Sequence, residues 1–213
     1  MPAILSVLGP GTWPALFRCF LAAVFAGFAI KIMDDWIDSD HLRDSAFLSL
    51  LGKGSLPYAL ALLALAASVD RAVACSVFLV SYAMGMAWTG ACDRLPSGLQ
   101  GWQESLVAVA CSFVTTGVRT TATAGLVIAA VQGFDDVMDL RAGKEKTSHI
   151  ASLFGSFETT VGSAALLALG VALNVVQAIG MAAAATVVWL VEIALERSHG
   201  SGRSPGDCDI ICK

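Results

Sequence analysis

The chain has 213 residues, 56% hydrophobic and only 14% charged, with a mean hydropathy of +0.73. A water-soluble domain carries about 25% charged residues, so an ordinary solvated surface is excluded. The formal net charge of −4, without any basic stripe, argues against nucleic acid as a partner.

The apolar runs predict an all-α fold: a polytopic transmembrane bundle of about seven helices forming one domain over residues 1–196. Residues 197–213 are expected to form a polar, Gly/Ser-rich, disordered cytoplasmic tail. A spanning helix needs about 20 mostly apolar residues. The first run, Trp13–Met33, has no basic region before it, Arg18 being the first charge, so it is expected to stay as a membrane helix. Ala46–Val69 is the second, with Lys53 inside it moving its true start towards Gly54. Asp70-Arg71 reads as a tight polar turn. Ala72–Cys92 is an uncharged third span, and Asp93–Gly101, with Pro96 and Gly98, is a loop. Ser105–Phe134 is too long for one span, since a single helix would measure about 45 Å against a hydrocarbon core of roughly 30 Å. Two short helices turning near Gly117–Arg119 are expected instead. Ile150–Leu173 and Val175–Leu195 complete the set, with a turn at Asn174.

Seven spans put ten of the thirteen basic residues, among them Lys31, Arg43, Lys53, Arg94, Arg141, Lys144 and Lys146, on one face. Arg18, Arg71 and Arg119 fall on the other. The positive-inside rule makes the first face cytoplasmic, with the N-terminus outside and the C-terminus inside. Small residues at helical spacing, such as Ala83, Ala87 and Ala91, suit close helix packing. Four of the six cysteines lie in or beside apolar runs as small hydrophobes. Cys208 and Cys212, at a C-x3-C spacing, are a weak metal signal without further ligands.

Two acidic clusters stand out. The first reads Asp34-Asp35-Trp-Ile-Asp38 and the second Asp135-Asp136-Val-Met-Asp139, each residue of the second lying 101 positions after its counterpart. Both are D-D-x-x-D at the predicted cytoplasmic end of a helix, a weak internal repeat. Residues three and four apart share a helix face, so each cluster can present carboxylates together, which repel unless a cation lies among them. Magnesium takes a few carboxylate oxygens, keeps waters and bridges phosphates. The six aspartates are therefore candidate metal ligands. Arg94, Arg141, Lys144 and Lys146, on the same predicted face, are candidate diphosphate-binding residues. The plainer alternative is a set of solvated acids at a membrane boundary, which one cluster alone would favour.

In these motifs the chain resembles the UbiA superfamily of intramembrane prenyltransferases, which carry an Asn-Asp-x-x-Asp-x-x-x-Asp motif after one helix and Asp-x-x-x-Asp after a later one. Asp34-Asp35-x-x-Asp38 is similar to the first, Asp135-x-x-x-Asp139 to the second, and Gly143-Lys144-x-Lys146-Thr147 to a downstream basic stretch. Asp34 stands where the family has Asn, and Leu42 where its third acid falls. The resemblance implies a Mg2+-dependent enzyme. Asp35, Asp38, Asp135 and Asp139 would be catalytic, acting on a polyprenyl diphosphate and a lipid-soluble acceptor within membrane lipid. Trp36, Tyr82 or Trp88 would shield or stabilise the allylic cation. A terpene cyclase using the substrate's own double bonds is the second reading. A non-catalytic divalent-cation transporter or lipid-binding remnant is the third.

Overall fold

The computed structural model describes residues 12–38, 46–89, 91, 92, 94, 95, 97–141 and 153–200. These form an all-helical structure. The seven long helices are α1 (Thr12–Asp38), α3 (Ser55–Val69), α4 (Arg71–Thr89), α5 (Gly101–Thr116), α6 (Val118–Arg141), α7 (Ser156–Leu173) and α8 (Val175–Gly200). A short α2 (Ala46–Leu51) and one 3-10 turn (Gly52–Gly54) lead into α3, close to the expected start at Gly54.

The breaks fall where the chain cannot continue a helix cheaply. Gly117 ends α5 at φ 86°, a conformation that a Cβ would strain. Its amide still donates to the Phe113 carbonyl, and α6 starts at the next residue. The long apolar run is thus two helices, as its length required. Buried Thr121 closes this hairpin through hydroxyl hydrogen bonds to Ser112 (2.9 Å) and Thr116 (3.0 Å). Elsewhere the helices outrun their apolar segments. α1 continues through the first acidic cluster to Asp38, α6 through the second to Arg141, and α8 past Arg197 to Gly200. Residues 201–213, with Cys208 and Cys212, lie outside the described residues.

Among the described residues, three helices are long and apolar enough to cross a membrane: Thr12–Ile37, Ser156–Leu173 and Val175–Leu195. Ser55–Val69 and Arg71–Ala87 are apolar but shorter. The distribution of side-chain size fits a lipid surrounding. The central cluster of buried residues is dominated by alanine, including Ala22, Ala26, Ala124 and Ala178, all fully buried. Large residues such as Phe17, Leu106, Val114 and Phe157 face outward. Water penalises such a surface, whereas small residues inside let helices approach closely where lipid supplies no hydrophobic drive. α1 and α8 show this approach: a Cβ on Gly180 would stand 2.9 Å from Cys19 Sγ and 3.2 Å from the Phe20 amide nitrogen.

The packing repeats itself. α1 packs extensively on α3 and less on α4, and α3 meets α4. α6 stands in the same relations to α7 and α8. Each first helix also packs on the other unit's third, α1 on α8 and α6 on α4. The turns inside the two units match. Asp70 and Asn174 are both extended (φ −150°, ψ 100° and φ −152°, ψ 96°), and each donates its amide to the carbonyl four residues back at 2.9 Å. Each side chain also caps the next helix: Asp70 Oδ1 accepts from the Ala72 and Val73 amides (both 3.1 Å), and Asn174 Oδ1 from the Gln177 amide (3.2 Å). The two turns lie 104 positions apart. The fold is therefore two parallel three-helix units, α1–α3–α4 and α6–α7–α8, with α5 between them.

At one end of the molecule polar contacts tie the helices within each unit. Arg18 donates to the Val69 carbonyl (3.3 Å), Gln177 to the Thr120 carbonyl (3.0 Å) and Arg119 to the Leu173 carbonyl (2.6 Å). Arg18, Arg71 and Arg119 gather here. Lys31, Arg94, Arg141 and Arg197 lie towards the opposite end, as do both acidic clusters.

Candidate functional site

A cavity of about 360 Å3 lies among α1, α4, α6 and α8. Its walls follow the repeat. From the first helix of each unit come Gly27 and Ile128, Ile30 and Val131, Lys31 and Gln132, Asp34 and Asp135. From the third come Val77 and Met181, Ser81 and Ala185, Gly85 and Trp189. The first set of pairs is offset by 101 positions and the second by 104, the spacings of the motifs and of the turns. The cavity is thus built twice over from equivalent positions. Both leading carboxylates reach it because helix continues through both clusters, so Asp34 and Asp135 sit one turn beyond Ile30 and Val131 on the same faces.

The cavity is graded. Val77, Val127 and Met181 make an apolar floor, while Lys31, Asp34, Gln132, Asp135 and Glu192 form a polar mouth at the cluster end. Where the repeat is broken, charged side chains stand out. Lys31 occupies the position of Gln132, and Glu192 that of Trp88. Lys31 Nζ bonds Glu192 Oε1 at 2.7 Å and Asp35 Oδ1 at 3.4 Å, joining α1 to α8 across the mouth. The charges acting on Asp135 are Asp139, Glu192 and Asp136 on the acidic side and Lys31 as the cation.

The sequence-derived site residues divide accordingly. Asp34 and Asp135 line the cavity. Asp35 is turned to Lys31, and Asp136 and Asp139 do not line the cavity but act on Asp135 from α6. Among the described side chains only the leading acid of each cluster lines the cavity, the second of each pair lying about 100° further around the helix. Asp38 is helical, but its side chain, like that of Trp88, is outside the described residues, as are Lys144 and Lys146 entirely. Neither Arg94 nor Arg141 lines the cavity. Arg94 is exposed and forms an isolated bridge with Gln100 in the α4–α5 connection. Tyr82 is spent on that connection, donating its hydroxyl to Glu104, which also accepts from Ser97. These two hydrogen bonds, Ser97 first, hold the Glu104 carboxyl below its ordinary value.

Among the described residues, no three His, Cys, Asp or Glu side chains are placed to hold a metal ion by themselves. Asp34 and Asp135 instead face the cavity from two helices. That donor set does not suit an all-protein cage. It does suit magnesium, which is commonly bound by one or two carboxylates together with substrate phosphates and water.

Sequence reasoning did not single out Lys31, Gln132, Trp189 or Glu192 as a group. The signal was present in the spacing: adding 104 to Gly85 and Trp88 gives Trp189 and Glu192. No family model, curated protein or solved structure matches the chain.

Proposed function

We propose that this is a multi-pass membrane protein that binds an isoprenoid diphosphate and transfers its prenyl group to a lipid-soluble acceptor. The N-terminus would lie outside and the acidic mouth on the cytoplasmic side. The observation that carries the reading is that Asp34 and Asp135, one from each acidic cluster, face a single cavity with a charged mouth and an apolar floor. The resemblance of the clusters to the UbiA motifs adds to it.

Among the described residues, the mouth and its immediate rim carry Asp34, Asp35, Asp135, Asp136, Asp139 and Glu192 against the ammonium of Lys31. A diphosphate brought there alone meets strong repulsion at low dielectric. A ligand of that charge therefore calls for divalent cations. Asp34 and Asp135 would hold Mg2+, which supplies charge neutralisation and Lewis acidity towards the departing diphosphate. The protein's own part is positional. The two carboxylates fix the head group at the mouth, Lys31 adds a fixed positive charge beside it, and the apolar floor takes the prenyl chain and excludes water. An apolar cavity of about 150 Å3 holds one benzene ring. By the same measure this one receives about two or three five-carbon units, with any longer tail passing into lipid.

The test uses the purified full chain in lipid nanodiscs with geranyl, farnesyl or geranylgeranyl diphosphate. Expected is Mg2+-dependent binding and diphosphate release, lost in Asp34→Asn and in Asp135→Asn. Cyclic hydrocarbon products without added acceptor would mark a cyclase instead. Donors that neither bind nor react at any Mg2+ concentration would sink the proposal.

A further inference from the structure

The arginine contacts at the end opposite the acidic mouth repeat with the fold. Arg18 lies 101 positions before Arg119. Their acceptors Val69 and Leu173, the last residues of α3 and α7, lie 104 apart. We infer that each arginine, with the apolar helix surface beside it, seats one anionic phospholipid, the guanidinium taking the phosphate and the helices the acyl chain. The inference rests on the chain spanning a membrane and is independent of the chemistry at the mouth.

Charge is the first observation. A guanidinium carries five N–H donors. Arg18 donates one through Nη2 and Arg119 one through Nε. Among the described residues no carboxylate forms an ion pair with Arg18, Arg71 or Arg119, whereas Lys31 at the mouth has two. A helix C-terminus offers about half a unit of negative charge, so capping α3 or α7 does not neutralise a guanidinium. The two turns differ in ways that cancel. Asp70 stands where the second unit has Asn174, and Arg71 where it has Val175. Asp70 Oδ1 is itself held by the Ala72 and Val73 amides. Among the described residues each turn, with its arginine, therefore keeps one net positive charge.

Placement is the second. Equivalent apolar residues turned outward flank each arginine. Phe17 and Val118, the residues just before them, are 63% and 69% exposed. Leu65 and Leu169, one turn before the acceptor carbonyls and so deeper along α3 and α7, are 50% and 52% exposed. Trp13, exposed about one and a half turns outward of Arg18 on α1, suits the headgroup level. A charge at such a boundary is costly until an anion meets it, and arginine takes phosphate through a two-pronged fork. A phosphate with hydrocarbon below it matches the order of the groups. A free phosphate would meet the charge and leave the apolar wall bare.

The test is native mass spectrometry of the full chain in a neutral detergent, titrated with dioleoylphosphatidylglycerol, dioleoylphosphatidylcholine or inorganic phosphate. Arg18→Gln and Arg119→Gln each keep a donor for the helix carbonyl and lose the charge. Each should retain about one phosphatidylglycerol fewer than the wild type, and the double variant about two fewer. Arg71→Gln should weaken one seat by about five-fold, phosphatidylcholine should bind about five-fold more weakly, and inorganic phosphate should displace neither lipid. Equal retention of phosphatidylglycerol by wild type and double variant overturns the seats, as does equal retention of the two lipids. Displacement by inorganic phosphate makes them plain anion sites and overturns the lipid assignment. If the double variant fails to fold, Arg71→Gln, which breaks no contact among the described residues, decides: unchanged affinity overturns the first seat. A chain that stays monodisperse in water without detergent overturns the membrane reading itself, a result separate from loss of the seats.

Discussion

The Lys31–Glu192 contact joins α1 to α8 at the mouth, and its removal tests how that seam is held. The two side chains are 31% and 26% exposed and 2.7 Å apart. At an effective dielectric of about 20, the bare attraction at that distance is about 6 kcal/mol. Desolvation offsets most of it: exposed pairs retain about 0–1 kcal/mol, while breaking a fully buried pair costs about 3–5 kcal/mol. This half-buried pair should couple by about 1–3 kcal/mol. Lys31→Met should cost more than Glu192→Gln, because it removes the contacts to both Glu192 and Asp35, whereas Glu192→Gln leaves Lys31 its 3.4 Å contact to Asp35. Lys31→Met/Glu192→Leu should recover the part of the loss that comes from Glu192, the contact to Asp35 alone staying broken. The assay is thermal unfolding of the purified chain in one detergent, where each kcal/mol moves Tm by about 2–4 °C for a chain of this size. Equal and additive effects of the two single variants, with no recovery in the double, would show that the ion pair does not hold the seam.

Three further outcomes follow from the geometry. Gly180→Ala should lower Tm by the equivalent of about 1–3 kcal/mol, because its Cβ would meet both Cys19 Sγ and the Phe20 backbone nitrogen, and Cys19→Ala should restore only the side-chain part. Asp34→Asn and Asp135→Asn should each reduce Mg2+-dependent diphosphate binding by about ten-fold or more, while Asp136→Asn, off the cavity, should be milder; isothermal titration with and without Mg2+ decides. The tie from Ser97 and Tyr82 to Glu104 should depend on pH. Because the folded carboxyl lies below its ordinary value of 4.5, the tie is fully present above that value and is lost as pH falls through the lowered one. Protease cleavage of the 90–100 connection should accordingly rise in acid, and Glu104→Gln should remove most of that pH dependence.

The helix breaks were legible because the chain marks them with residues that act locally. Gly117, the Gly52–Gly54 stretch, Asp70 and Asn174 each stop a helix through backbone conformation or a capping side chain. The ends of α1 and α6 were less legible. The apolar signal fades at Met33 and Phe134, yet the helices run on through the aspartates, whose carboxylates cost little at a polar boundary. The leading acids of the site could be read from the repeated spacing. Lys31, Trp189 and Glu192 could not, because they come together only through packing of α8 on α1 and α6. The repeat that would have tied Trp189 to Gly85 is hidden where the paired residues differ in size and polarity.

The odd number of helices in each unit carries a topological consequence for α5. A three-helix unit begins at one end of the molecule and finishes at the other, so a second copy joined directly to the first would run upside down. Asp135 would then face away from Asp34, and no shared mouth would form. Gly101–Thr116 supplies the single return passage that restores the parity. Excising α5 should leave two units that each fold their own contacts while their acidic ends point in opposite directions. Doubling it should do the same. A helix that contributes no residue to the cavity is thus what lets the cavity have two sides.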